Sequence, residues 1–106
     1  MTGRRRPENR RASETVALQC NGLAYLATIS RYADGTLAEI FINNSKAGSQ
    51  SDAAAKDAAV VCSIALQFGV PLSVIRHALL RDARGVAASP LGAALDLLAK
   101  DSTNGD

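Results

Sequence analysis

The chain has no tryptophan and only two phenylalanines and two tyrosines among 106 residues. Its core must therefore be aliphatic, built from Ala, Val, Leu and Ile, and modest in size for one domain. No apolar stretch approaches the roughly 20 residues that a membrane-spanning helix needs. Met1 leads into Arg4, Arg5 and Arg6 with no hydrophobic segment behind them, so neither a secretory signal nor a membrane contact is expected, and a cytoplasmic protein is the simplest expectation. Cysteine is scarce as well. Cys20 and Cys62 stand alone, outside any CxxC pair, which suits small buried apolar residues in a reducing compartment. With His77 the lone histidine, a structural zinc site is not expected. No Ser/His/Asp order or metal-ligand cluster stands out, so no catalytic residue, metal or cofactor is assigned.

Charge is present but uneven. Residues 1–11 carry Arg4, Arg5, Arg6, Arg10 and Arg11 against Glu8, a net of +4, whereas 12–106 carry a net of −2. A broad nucleic-acid face on the fold itself is thereby disfavoured. The arginine arm alone can neutralise several phosphates, which would give salt-sensitive, sequence-poor binding. A solubilising tail is the alternative reading of the same residues. With Pro7 and no apolar periodicity, residues 1–13 are expected to form a basic flexible arm. A single domain should cover 14–100, and a disordered tail 101–106.

Within the domain the hydrophobic period changes once. Val16, Leu18 and Cys20 alternate with polar or small residues, and Tyr25, Ala27 and Ile29 do so again, the period of half-buried strands. Asn21-Gly22 between them suits a type I′ turn. Ala33-Asp34-Gly35 turns the chain once more into a strand over Leu37–Ile42. After Ser51 the period becomes helical. Helices are expected near 52–68, 72–82 and 90–99, with Ser51 or Asp52 capping the first, Gly69 stopping it and Pro71 opening the second. The predicted fold is α+β, a three-stranded antiparallel meander followed by three helices packed on one face. The first helix is apolar over most of its circumference, so it is expected to lie between the sheet and the later helices. Val60, Ile64 and Phe68 form its expected core stripe, and Ile64→Ala is expected to cost about 2–5 kcal/mol. Arg76 and Arg81 are expected to point outward.

Candidate site residues are few. Asn43, Asn44, Lys46, Gly48 and Ser49 form a polar loop that delivers backbone N–H groups and a lysine to a helix start, an arrangement that welcomes phosphate. It lacks P-loop spacing, and a plain strand-to-helix connection is the simpler reading of the same residues. Glu39 sits in an otherwise apolar strand and reads as a partnered structural carboxylate. His77 reads as a surface or edge residue. Arg76, Arg81, Asp82 and Arg84 read as a solvated helix end, with Arg84-Gly85 open to an acidic partner.

Arg6-Pro7, Tyr32-Ala33-Asp34-Gly35, Glu39-Ile40-Phe41-Ile42, Lys46-Ala47-Gly48-Ser49, Ala58, Ser63, Ala65-Leu66-Gln67 and Gly69-Val70-Pro71-Leu72 occur in this order. In that order and spacing the chain resembles the C-terminal, TSCPD-type module of vitamin B12-dependent (class II) ribonucleotide reductases. The likeness covers roughly residues 4–82 and extends less clearly to 99. It implies an accessory module standing alone, one that binds a protein partner, itself or a nucleotide. Two departures limit it. Where the family often carries Thr-Ser-Cys-Pro-Asp, this chain has Ala88-Ser89-Pro90-Leu91. The redox cysteines, the catalytic barrel and a cobalamin site have no counterpart in 106 residues, so reductase activity does not carry over. Nucleic-acid binding through the arginine arm is the competing function.

Overall fold

The computed structural model of the chain describes residues 3–9, 12–44 and 50–101. Three strands, β1 (Ser13–Cys20), β2 (Leu23–Arg31) and β3 (Leu37–Asn44), form one antiparallel sheet in the order β1-β2-β3. Three helices follow, α1 (Gln50–Gln67), α2 (Leu72–Ala78) and α3 (Pro90–Asp101). The α+β meander expected from the sequence is the fold observed.

Local chemistry accounts for the turns. Asn21 and Gly22 take φ of 53° and 78°, the left-handed pair that a two-residue hairpin needs and that Asn-Gly tolerates best. In the second turn the Asp34 carboxylate accepts the Thr36 N–H at 2.9 Å and the Thr36 hydroxyl at 2.6 Å. These bonds, with Arg5 nearby, hold Asp34 below the usual carboxylate range. Alternation then sets the faces. Leu18 and Cys20 of β1, Tyr25, Ala27 and Ile29 of β2, and Ile40 and Ile42 of β3 are buried in one cluster with Leu91, Leu95 and Leu98 of α3. Ile29, Ile40, Ile42 and Leu95 are the largest fully enclosed side chains, each contributing about 1.5–3 kcal/mol by burial. The alternation is interrupted once, between the Ser30–Glu39 and Arg31–Leu37 pairs.

The orientation of α1 differs from the expectation. It lies along β3 and turns Ala55, Ala59, Cys62 and Leu66 inward, together with the polar Asp52, Ser63 and Gln67. Val60 and Ile64 are 45% and 37% exposed, and Phe68 is only half-buried. α3 packs chiefly on β1 and does not cover the outer side of α1. The polar residues explain the rotation. The Ser63 hydroxyl accepts the Ile40 N–H at 2.8 Å and donates to the Ile40 carbonyl at 2.9 Å. Gln67 Nε2 donates to the Ala38 carbonyl at 3.2 Å, and Asp52 Oδ1 accepts the Asn44 N–H at 3.0 Å. An edge strand buried under a helix must find partners for its outward backbone groups, and Ala55 and Ala59 let the helix come close enough to supply them. Asp52 is therefore an edge cap inside the first turn of α1, where its charge also suits the helix dipole.

Gly69, at φ 94°, ends α1, and the Val70 N–H reaches back to the Ala65 carbonyl at 3.1 Å, the six-to-one bond of a Schellman motif. Pro71 occupies the cap position, and α2 begins at Leu72. This helix stops at Ala78, a turn short of the expected 82. Asp82 draws the chain into a tight turn instead. Its carboxylate accepts the N–H groups of Arg84 and Val86 at 2.8 and 3.0 Å, and Arg81 bridges to Ala87. Local bonding of this kind competes with helix. Ser89 and Pro90 then start α3. The Ser89 hydroxyl accepts the Gly92 N–H at 3.2 Å, as an N-cap does, and Pro90 fills the first helical position where no N–H is missed.

Candidate functional site

The described part of the molecule presents three surfaces on which function can rest. The first is the outer side of α1. Val60, Ile64 and Val61 succeed one another around one face of the helix at 45%, 37% and 66% exposure, separated by three, four and one positions, so they share a stripe. The second is the outer face of the sheet, where Leu26 and Phe41 are exposed beside Ala17, Ala24 and Asn43. It ends at β1, whose backbone bonds among the described residues run to β2 alone. The third is the junction of the N-terminal arm with the β2–β3 turn.

At that junction the arm is docked. Arg4 Nε donates to Gln67 Oε1 at 2.6 Å, and the Arg5 N–H to the Gln67 carbonyl at 2.6 Å. The Tyr32 hydroxyl donates to the Arg5 carbonyl, while the Arg5 guanidinium stacks 3.8 Å from the Tyr32 ring centroid and meets Asp34 at 3.4 Å. Gln67 thereby links three segments, its side-chain amide nitrogen donating to the β3 edge and its amide oxygen accepting from the arm. A cation at the C-terminal end of α1 is also favoured by the helix dipole. The arm was expected to be flexible, with its arginines able to meet phosphates. Arg4 and Arg5 are held instead, and Arg6 remains exposed with no bond to a described residue. Arg10 and Arg11 lie outside the described residues.

The polar loop expected to receive phosphate is only partly in view. Asn43, one residue before the end of β3, has its side chain exposed, whereas Asn44 is buried and its N–H is taken by Asp52. Lys46, Gly48 and Ser49 lie outside the described residues. Glu39 is a buried, partnered carboxylate, as its strand position implied: the Ser30 hydroxyl donates to its Oε1 at 2.7 Å. His77 is exposed at the end of α2.

Arg76 and Arg81 do not point outward. Both converge on Asp96 of α3, Arg76 Nε at 2.9 Å and Arg81 through two bonds of 2.8 Å. The forked Arg81 contact, assisted by Arg76, holds the Asp96 carboxyl down to about 2 against the opposing effect of burial. These three residues fasten α2 and its following turn to α3. Their separation by 15 and 20 positions left no local sequence signal. Cys20 and Cys62 are buried and unpaired, and burial pushes both thiols up, Cys62 to about 11. Neither is an ionised nucleophile near neutral pH.

What sequence reasoning missed was the side of α1 that is left uncovered. A signal was present: Ala55, Ala59, Ser63 and Gln67 recur at helical spacing, a row of small and hydroxyl or amide residues. Such a row fits close approach to a backbone better than it fits solvent. Comparison with protein-family models, with curated proteins and with solved structures finds no match to this chain.

Proposed function

We propose that this chain is a non-catalytic binding module that acts through contact with a protein surface, a second copy of itself being the first partner to test. The observation that carries this reading is the aliphatic stripe of Val60, Val61 and Ile64 on α1, opposite the face that packs on β3. A helix apolar on both faces is ordinarily covered on both, yet of the later helices expected to cover it, α3 packs chiefly on β1. Three branched aliphatic side chains in register supply the kind of apolar centre around which interfaces form. The resemblance to an accessory module of class II ribonucleotide reductases agrees with a role exercised by contact rather than by chemistry. The arginine-arm reading is less well supported, because Arg4 and Arg5 are engaged within the fold.

Sedimentation equilibrium of the full chain and of a Val61→Glu/Ile64→Glu variant tests the proposal. A wild-type dimer that the double substitution converts to a folded monomer supports self-association. A monomeric wild type that captures a defined protein, lost in the double variant, supports a heterologous partner on the same stripe. If both chains are monomeric and capture the same proteins, the stripe is not the contact surface.

A further inference from the structure

Away from α1, an open cavity of about 990 Å³ curves around the end of the sheet that holds Asn21, Ala24 and Asn43, and is bounded by the loop that follows α2 and by α3. That volume is at the upper end of the roughly 300–1,000 Å³ typical of small-molecule sites. Leu26 from the sheet, Val86 from the loop and Leu97 from α3 give it apolar walls, with the Asn43 amide among them. Four charged residues also line it: Asp82, Arg84, Asp96 and Lys100. Their states differ by sign. Asp82 is occupied by the N–H groups of its own turn. Asp96 is held between Arg76 and Arg81 and stays ionised with both partners in place. The side chains of Arg84 and Lys100, by contrast, make no hydrogen bond or ion pair with any described residue.

The acidic groups of the cavity are thus satisfied from within the fold, and the basic ones are left over. A planar guanidinium and an ammonium in the lining of one partly apolar cavity are the groups that recognise a phosphomonoester, the guanidinium through its fork and the ammonium as a point charge. The tight turn fixed by Asp82 sets the position of Arg84, and the last turn of α3 sets that of Lys100. We infer that this cavity binds a small organic phosphate, with its body against Leu26 and Leu97 and its phosphate at Arg84 and Lys100. The inference is independent of the contact stripe on α1.

The test is titration of the full chain with AMP, octyl phosphate, inorganic phosphate and adenosine, followed by calorimetry and by the amide resonances of Ala24, Leu26, Arg84, Val86 and Leu97. AMP and octyl phosphate share the head group and differ in body, so they separate a nucleoside-type ligand from a lipid-type one. Expected is saturable binding of at least one of them, about tenfold or more tighter than inorganic phosphate, with shifts centred on these residues. Arg84→Gln and Lys100→Gln should each weaken it about tenfold, while Arg6→Gln, an equal charge change elsewhere, should leave it unaltered. Raised salt should weaken binding as well. The inference is overturned if neither phosphate ester binds, if inorganic phosphate or adenosine binds as tightly as the esters, or if Arg6→Gln weakens binding as much as Arg84→Gln.

Discussion

At the β3 edge, Asp52, Ser63 and Gln67 of α1 take up backbone groups of Asn44, Ile40 and Ala38. At the β1 edge, no described residue takes up a backbone group on the side away from β2. A small sheet has two edges to manage, and here one is sealed by side chains while the other has no such partner among the described residues. The contrast explains why a nearly continuous apolar helix contains buried polar residues. Asp52, Ser63 and Gln67 are the partners that the strand lacks, placed on the helix that lies beside it. It also bears on how the sheet can be extended. Pairing through β3 is blocked in every copy, so strand addition has β1 alone to use, and a single edge of this kind gives a closed pair rather than a fibre.

The contrast can be broken most sharply at Ser63. Ser63→Val removes both bonds to Ile40 and leaves a buried donor and a buried acceptor unmet. At roughly 1–3 kcal/mol for each orphaned group, a loss of about 2–6 kcal/mol is expected in urea denaturation. Hydrogen exchange should show the same asymmetry in the wild type. The Ile40 and Asn44 amides should be protected although β3 is a sequence-edge strand, and the outward amides of β1 should exchange fastest of the sheet. Equal rates on the two edges would contradict the sealing.

Gln67→Ala should cost about 1–2 kcal/mol, since it frees the Ala38 carbonyl and releases Arg4. Limited proteolysis near Arg4 and Arg5 should accelerate in parallel, because the arm loses one of its anchors. A smaller effect is expected from acid. Asp96 is held at about 2 when folded, against an ordinary carboxylate near 3.9 in an unfolded chain. Its contribution is therefore complete above about pH 4 and is lost as the pH falls through 2. The carboxylate is 27% exposed, so solvent screening reduces this to about 1 kcal/mol. Asp96→Asn should remove that part of the pH dependence, which a pH series of thermal melts would show.

Two substitutions should do little in the monomer. Ile64→Ala, expected from the sequence alone to cost about 2–5 kcal/mol, should cost about 1 kcal/mol or less, because the side chain is 37% exposed on the side of α1 away from β3. Thr15→Lys on the open edge should change stability by no more than about 0.5 kcal/mol, as exposed surface positions do. A larger loss at Thr15 would mean that β1 is already covered in solution. A large loss at Ile64 that disappears on dilution would locate the covering surface on α1 instead.

Much of this architecture was legible before any coordinates. Asn21-Gly22, Asp34-Gly35 and Gly69 dictate φ values that few other residues accept, so they place the turns wherever the chain goes. Period two in 16–29 and the helical period after 51 fix the elements between them. Ser89-Pro90 marks a helix start by the same local logic. The length of α2 was less legible, because the Asp82 turn that ends it depends on backbone bonds made only once Val86 has come round to meet it.

The candidate site was less legible than the fold. Asn44 reads as a loop residue in sequence, yet its N–H belongs to the capped edge. Arg76 and Arg81 read as solvated, yet both face a carboxylate on another helix. Contacts between residues far apart in the chain leave no periodic trace, and charge at the end of a short helix looks the same whether water or Asp96 neutralises it.

What the sequence determined by itself was the set of elements, their order and their turns, since these follow from conformational preferences within a few residues. Only the tertiary structure decided which side of α1 faces inward. Both sides are apolar enough to be buried, so hydrophobicity could not choose between them. The choice fell to the unmet N–H and C=O groups of β3. Their burial is tolerable only beside the hydroxyl of Ser63, the amide of Gln67 and the carboxylate of Asp52, and that requirement left Val60, Val61 and Ile64 on the outside.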